Sequence, residues 1–132
     1  MIKEISISTK SRNEFVLVDR EVDSVVRESG VQEGTCLIWI PHTTAAVTIN
    51  ENADPSVVRD ILYKLDKVIP YRDGYQHMEG NSAAHIKSSL LGPSLNLIIT
   101  GGKLVLGTWQ SIYFCEFDGP RTRRMVVKVM EA

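Results

Sequence analysis

The chain has 132 residues, of which 43% are hydrophobic and 23% charged, enough for one sizeable core and ordinary for a globular domain. A formal net charge of −1 argues against a nucleic-acid or membrane-surface binder that works through bulk charge. No apolar run approaches the roughly 18 residues that cross a bilayer. The alternating start is no secretory signal, and Cys36 and Cys115 lie in apolar stretches without a CxxC, so a reducing cytoplasm with two buried free thiols is expected.

Residues 2–8 alternate, with Ile5 and Ile7 against Ser6 and Ser8, and predict a first strand. Glu14 to Val18 is a short second one. Asp19 is placed as the cap of a helix whose apolar positions Val22, Val25 and Val26 follow helical spacing, and Ser29-Gly30 ends it. The run Thr35 to Ile40 is apolar without alternation, the pattern of a central strand covered on both faces. Pro41 stops it, and His42-Thr43-Thr44 follows without the usual hairpin residues.

Ala45 to Ile49 is the next strand. Asp54 caps a helix with Pro55 in its first turn and the stripe Val58, Ile61, Leu62, Leu65, lasting to about Lys67. Asp73-Gly74 turns the chain into His77-Met78-Glu79-Gly80-Asn81-Ser82-Ala83-Ala84-His85, which holds two of the three histidines. An extended His-x-Glu puts His77 and Glu79 on one face. Asn81 or Ser82 then caps a short helix carrying His85 and ending at Gly92-Pro93. The competing reading leaves both histidines on a polar surface loop. Leu95 to Thr100, Lys103 to Leu106, Ser111 to Phe117 and Arg124 to Met130 complete the strands. The expected fold is α+β: one domain over 1–132, with a mixed or mostly antiparallel sheet and about three helices packed on it.

Four polar clusters end apolar strands: around His42, Asn50 to Asp54, His77 to His85, and Glu116 to Arg124. If these ends meet, three imidazoles come together, and three imidazoles with an open fourth position form a catalytic zinc arrangement. That makes His42, His77 and His85 the candidate ligands of a divalent metal, zinc or magnesium, with Glu51 or Glu79 orienting a ring. In a strand Arg121 and Arg123 share a face and suit a phosphate, although charges on a sheet edge also block aggregation. Trp109-Gln110 can stack on a flat ring or pack in the core. A GxSxG elbow, a phosphate-binding glycine loop and the thiolate pair of the zinc deaminases are all missing.

Three blocks carry a resemblance. They are His42-Thr43-Thr44-Ala45-Ala46 running to Asn50-Glu51-Asn52-Ala53-Asp54-Pro55; His77-Met78-Glu79-Gly80-Asn81 with Ala84-His85; and Gly107-Thr108-Trp109-Gln110 leading to Glu116-Phe117-Asp118-Gly119-Pro120-Arg121. In these the chain resembles the YjbQ family, small proteins assigned in part as secondary thiamine-phosphate synthases. The resemblance implies a homotrimer and a weak transfer reaction that joins a pyrimidine diphosphate to a thiazole phosphate with loss of pyrophosphate. Such a reaction needs cations for the diphosphate, a slot for the pyrimidine and negative charge near the developing carbocation. For these roles the sequence offers His42, Glu51 and Glu79 as catalytic groups. Arg121, Arg123, Thr43, Thr44, Asn81, Trp109 and Gln110 are the candidate contacts to a small phosphorylated substrate. No organic cofactor is expected. A non-catalytic trimer that binds a metal or a phosphate ligand is the alternative.

Overall fold

Eleven elements follow one another through residues 1–132 of this computed structural model. They are β1 (Ile2–Ser8), β2 (Glu14–Leu17), α1 (Asp19–Ser29), β3 (Gly34–Trp39), β4 (Ala45–Glu51), α2 (Pro55–Val68), α3 (Ser82–Leu91), β5 (Ser94–Thr100), β6 (Lys103–Leu104), β7 (Gln110–Glu116) and β8 (Thr122–Glu131). The strands form two sheets, one of order β1-β8-β3-β5-β6 and one of order β2-β7-β4, and every pairing is antiparallel. The α+β expectation holds, with two sheets where one was anticipated. No helix is long and apolar enough to cross a membrane.

Period-two alternation sorts the side chains. Met125, Val127 and Val129 of β8 and Cys36 and Ile38 of β3 are buried on one face of the large sheet. They meet Val47, Ile112 and Phe114 of the small sheet in the main core, and α1 adds Val22, Val25 and Val26. The other face of the small sheet packs Ala46, Tyr113, Cys115 and Phe117 against Ala84 of α3 and, in part, Val58 and Leu65 of α2. The layers are therefore sheet, sheet, helices. Buried Lys87 ties the helical layer together, because its ammonium donates to Asp66 Oδ1 and Asn13 Oδ1, each at 3.2 Å. This anchors α3 to α2 and to the β1–β2 connection.

Three local expectations change. Asp19 is the first residue of α1, not its cap, and its carboxylate accepts the Ile112 N–H at 2.7 Å. His77 to Gly80 is a turn closed by Gly80 N–H to His77 O at 3.1 Å, so the His-x-Glu pair is not extended. And β3, read as covered on both faces, is covered on one: Trp39 is 46% exposed. Within one chain nothing packs on the outer face of the large sheet. Asp54 does cap α2, accepting the Ser56 N–H at 2.9 Å, and Gly30 ends α1 at φ 69°. Both cysteines are free and buried, and burial with the Asp23 charge pushes the Cys36 thiol up to about 11. Neither is a thiolate near neutral pH.

Candidate functional site

Three chain segments meet at one end of the sheets: the β3–β4 connection, the turn into α3, and the β7–β8 connection. Between them lies a cavity of about 700 Å³ lined by 14 residues, and all three histidines are among them. Thr43, Thr44, Glu79, Asn81, Asp118, Arg121 and Arg123 also line it. Most of the polar residues singled out by sequence thus converge from positions far apart in the chain.

Behind the cavity is a buried ion pair. Glu116 is fully buried and Arg123 is 3% exposed. Arg123 Nε donates to Glu116 Oε1 at 2.9 Å, and Nη2 donates to Glu116 Oε2, to Thr44 Oγ1 at 2.8 Å and to Thr44 O at 3.2 Å. Thr9 Oγ1 donates to Glu116 Oε1 at 2.8 Å, and the Asp118 N–H donates to Oε2 at 2.9 Å. Arg123 was expected to bind phosphate. Its Nε and Nη2 are engaged by Glu116 and Thr44, so it holds the cavity's back wall, while Nη1 makes no such bond and Arg123 still lines the space. Thr44 is committed with it, whereas Thr43 stays exposed to the cavity. Arg121 does not share the face of Arg123, because it precedes β8. It is exposed and donates from Nε to Asp118 O at 2.9 Å and from Nη2 to Asp118 Oδ2 at 3.2 Å.

His42 has a defined tautomer. Its Nε2 accepts the Arg124 backbone N–H at 2.9 Å, which places the ring proton on Nδ1. Burial holds its pKa below 6.5, reinforced by Arg123 and Arg124, while Glu116 and the Arg124 hydrogen bond oppose the shift. The unfolded chain therefore takes up the proton first as pH falls. Stability contributed by neutral His42 is present above about 6.5 and is lost as pH drops through that value toward the lower folded one. His42→Gln keeps an acceptor for Arg124 and removes the titration. The variant is expected to show a flatter loss of melting temperature below pH 6.5, and identical slopes would refute the assignment.

His77 and His85 stand together, their rings 5.4 Å apart and nearly perpendicular. His77 Nε2 lies 4.0 Å from Glu79 Oε1. Asn81 is buried where α3 begins, and its Nδ2 donates to Asp118 Oδ2 at 2.9 Å while its Oδ1 has no partner. The expected three-histidine convergence does not form within the chain: no group of three or more His, Cys, Asp or Glu side chains is arranged to hold a metal. The reason is visible at His42, where a metal on Nδ1 would require a proton on Nε2, against the Arg124 N–H. His77 and His85 remain a candidate donor pair.

Glu51, Trp109 and Gln110 lie elsewhere. Antiparallel pairing sets Ala45 opposite Glu116 and Glu51 opposite Gln110, so these residues occupy the far end of the β4–β7 ladder. There the Asn52 N–H donates to Trp109 O, and Gln110 Oε1 accepts the Gly107 N–H at 2.7 Å. Trp109 is 64% exposed, neither in the core nor at the cavity. Sequence reasoning gave no role to Glu116 or Asp118. A carboxylate ending an apolar strand, as Glu116 does, was the available signal, because a buried charge requires a partner.

Fold and site define a class: a three-layer sheet–sheet–helix domain with a histidine- and arginine-lined cavity at one end of its sheets. Residues 3–132 match the family described as UPF0047 protein YjbQ-like. The UPF0047 protein YugU of Bacillus subtilis is 52% identical over 98% of this chain and 99% of its own. A UPF0047 protein of Methanocaldococcus jannaschii is 51% identical over 98% of this chain and 94% of its own. A solved YjbQ/UPF0047-family structure from Clostridium acetobutylicum superposes with a TM-score of 0.96 at 55% identity, over 97% and 99% of the two chains. One from Sulfolobus solfataricus, described as a YbjQ-like protein of unknown function, gives 0.96 at 33% identity, over 100% and 97%. The chain belongs to the YjbQ/UPF0047 family.

Proposed function

We propose that the cavity binds a phosphorylated small molecule and that its chemistry is group transfer of the thiamine-phosphate synthase type. One observation supports this above others: Arg121, Thr43, His42 and Glu79 line a single cavity. Arg121 supplies the fork that suits phosphate oxygens. Its contact with Asp118 is exposed, and such pairs contribute only about 0–1 kcal/mol, so it is easily exchanged for a ligand. His42, fixed neutral, donates without adding charge. In the transfer, the C–O bond to the diphosphate breaks and its electron pair leaves with pyrophosphate, while the thiazole nitrogen lone pair forms the new C–N bond. Glu79 is placed to offset the positive charge that develops on carbon. Glu51 and Trp109 have no part in this cavity.

The test is formation of thiamine phosphate by purified protein. His42→Ala, His85→Ala and Arg121→Ala are each expected to lower kcat/KM at least tenfold, the loss typical when a charged or proton-holding contact to the transition state is removed. Activity indifferent to all three belongs to a contaminant. A melting temperature raised by pyrophosphate without turnover would assign a binding protein instead, since saturation at about 100 Kd stabilises by about 2.7 kcal/mol.

A metal remains a second reading for His77 and His85 alone. Two neutral imidazoles leave positions for water or phosphate oxygens, and a divalent ion there would help neutralise a leaving diphosphate. Zinc titrated into chelator-treated protein is expected to bind in wild type and His42→Ala, and to lose affinity at least tenfold in His77→Ala and His85→Ala. Loss in His42→Ala of the same size would restore the three-histidine centre.

A further inference from the structure

The transfer proposed above joins two flat rings, yet the cavity that would hold the phosphate offers a ring little. Arg121, Arg123, Glu79 and Asp118 put charge on its walls, and Trp109, the aromatic expected from sequence, lies near the far end of the β4–β7 ladder. Its one side-chain amide is not free to read a ring edge, because Asn81 Nδ2 donates to Asp118 and Oδ1 is buried. Past the histidine pair the chemistry changes. A second hollow, of about 430 Å³, is lined by Tyr75, Gln76, His77, Ser82, His85 and Ile86, with no Asp, Glu, Lys or Arg among them. His77 and His85 line both spaces, so the two adjoin. We propose that this second hollow seats the heterocycle of a phosphorylated substrate, and that Gln76 reads a ring edge carrying an amino group beside a ring nitrogen.

Three features of the hollow carry this. Its volume lies within the range of small-molecule sites, and a lining of one phenol ring, two imidazoles and one aliphatic side chain suits a flat, uncharged body. Second, the lining is held in place. Tyr75 donates its hydroxyl to Pro70 O at 2.7 Å, a backbone bond closes the turn from His77 to Gly80, and Ser82, His85 and Ile86 belong to α3. Gln76 stands between the anchored Tyr75 and that turn, so its backbone is positioned from both sides. Third, the Gln76 side chain is exposed and its amide is engaged by no other residue. A primary amide carries a donor and an acceptor side by side. That pair matches a ring nitrogen next to an exocyclic amino group, the pattern by which glutamine reads adenine. Trp39 is the competing seat, since it lines the cavity and is 46% exposed, but the cavity has no free amide to set beside it. The inference rests on the phosphate reading of the cavity, and the two separate in experiment because ring and phosphate occupy different ends.

The experiment titrates the full chain with inorganic pyrophosphate, with a hydroxymethyl aminopyrimidine, and with the diphosphate of that pyrimidine. Following the imidazole proton signals of the three histidines by NMR reads weak and tight probes alike. Wild type is expected to prefer the aminopyrimidine to the same ring without its amino group by about fivefold or more, the lower end of what a bidentate pair contributes. Gln76→Ala is expected to lose that preference, to weaken the diphosphate by a similar factor and to leave pyrophosphate unchanged. Its melting temperature is expected to hold, because Gln76 bonds to nothing in the chain. Ile86→Asp, which sets a charge in the hollow, is expected to weaken both ring probes and spare pyrophosphate. Arg121→Ala is expected to do the reverse. A preference that survives Gln76→Ala overturns the ring seat, as does a loss of ring binding confined to Trp39→Leu. Equal weakening of pyrophosphate and ring probes by Ile86→Asp overturns it too. Gln76-dependent binding of the free pyrimidine with no binding of pyrophosphate would sink the phosphate reading and leave the ring seat standing. Binding of pyrophosphate and of no ring probe would do the opposite, and binding of no probe removes both.

Discussion

Arg123→Ala is expected to cost the fold about 3–5 kcal/mol, the loss seen when one partner of a buried ion pair is removed. At 132 residues, each kcal/mol corresponds to roughly 3–5 °C in melting temperature, so a fall of about 9–25 °C is expected. The cause is Glu116, which has no exposed surface and would keep its charge with only Thr9 and the Asp118 N–H as donors. Arg123→Met with Glu116→Leu is expected to recover much of the loss, because it removes both charges together. The pair also sets an acid limit. Burial alone pushes the Glu116 carboxyl up, but hydrogen bonds from Arg123, the Asp118 N–H and Thr9 outweigh it and hold the carboxyl below 4.5. A depressed carboxylate stabilises above its unfolded value, and that contribution is lost as pH falls through the folded one. Wild type is therefore expected to lose stability as pH drops below about 4.5, and in Arg123→Ala this share of the acid loss is expected to shrink, because protonating Glu116 then relieves an unpaired buried charge. Equal acid midpoints would show that the pair contributes little.

Much of this arrangement was legible in sequence, and the boundary of what was legible has a physical cause. Local signals worked where a residue acts on its own backbone: Asp54-Pro55 starts α2, Gly30 stops α1, and Gly92 follows α3. Alternation found β1, with Ile5 and Ile7 on its inward face. What sequence order could not supply was register. Trp109 and Glu116 fall in one block of the chain, yet β7 carries them to opposite ends of a seven-residue strand, about 20 Å apart. The pairing of β4 with β7 puts Glu51 with the first and Thr44 near the second. The same limit hid the role of Arg123. Its number places it beside Arg121 and Arg124, but each of the three faces different surroundings. Arg121 is in the connection before the strand, Arg123 points inward to Glu116, and Arg124 points outward to Glu4. The apolar run of β3 suggested a strand covered on both faces, because it lacks alternation. The chain covers one of them and leaves Trp39 46% exposed on the other.

Gly119→Ala is expected to damage fold and site together, and by steric contact, not conformational preference. Gly119 is not among the glycines with positive φ, so alanine suits its backbone. The obstacle is space: a Cβ there would collide with the backbone carbonyl oxygen of Ser11 and meet Glu116 Cγ at 2.8 Å and Thr9 Oγ1 at 2.9 Å. Neither side can retreat freely. The Gly119 N–H donates to Arg12 O at 3.2 Å, and the Thr9 N–H donates to Arg121 O at 3.0 Å, stitching the two segments together. Thr9 and Glu116 are also partners in the ion-pair network, so moving either weakens Arg123's anchorage. Overpacking of this kind costs about 1–3 kcal/mol, and a backbone obstacle puts this site at the upper end. Gly107→Ala makes the comparison, since its Cβ would meet only the flexible Gln110 side chain, nearest at 3.3 Å. Chemical denaturation of both variants is expected to show a loss for Gly119→Ala several times that for Gly107→Ala. Because Asp118 and Arg121 flank Gly119, pyrophosphate affinity is expected to fall at least tenfold in the first variant and to hold in the second. Should Gly119→Ala match Gly107→Ala in both measurements, the β7–β8 connection is not the rigid wall described here, and Arg121 would have to find its ligand from a loop free to move.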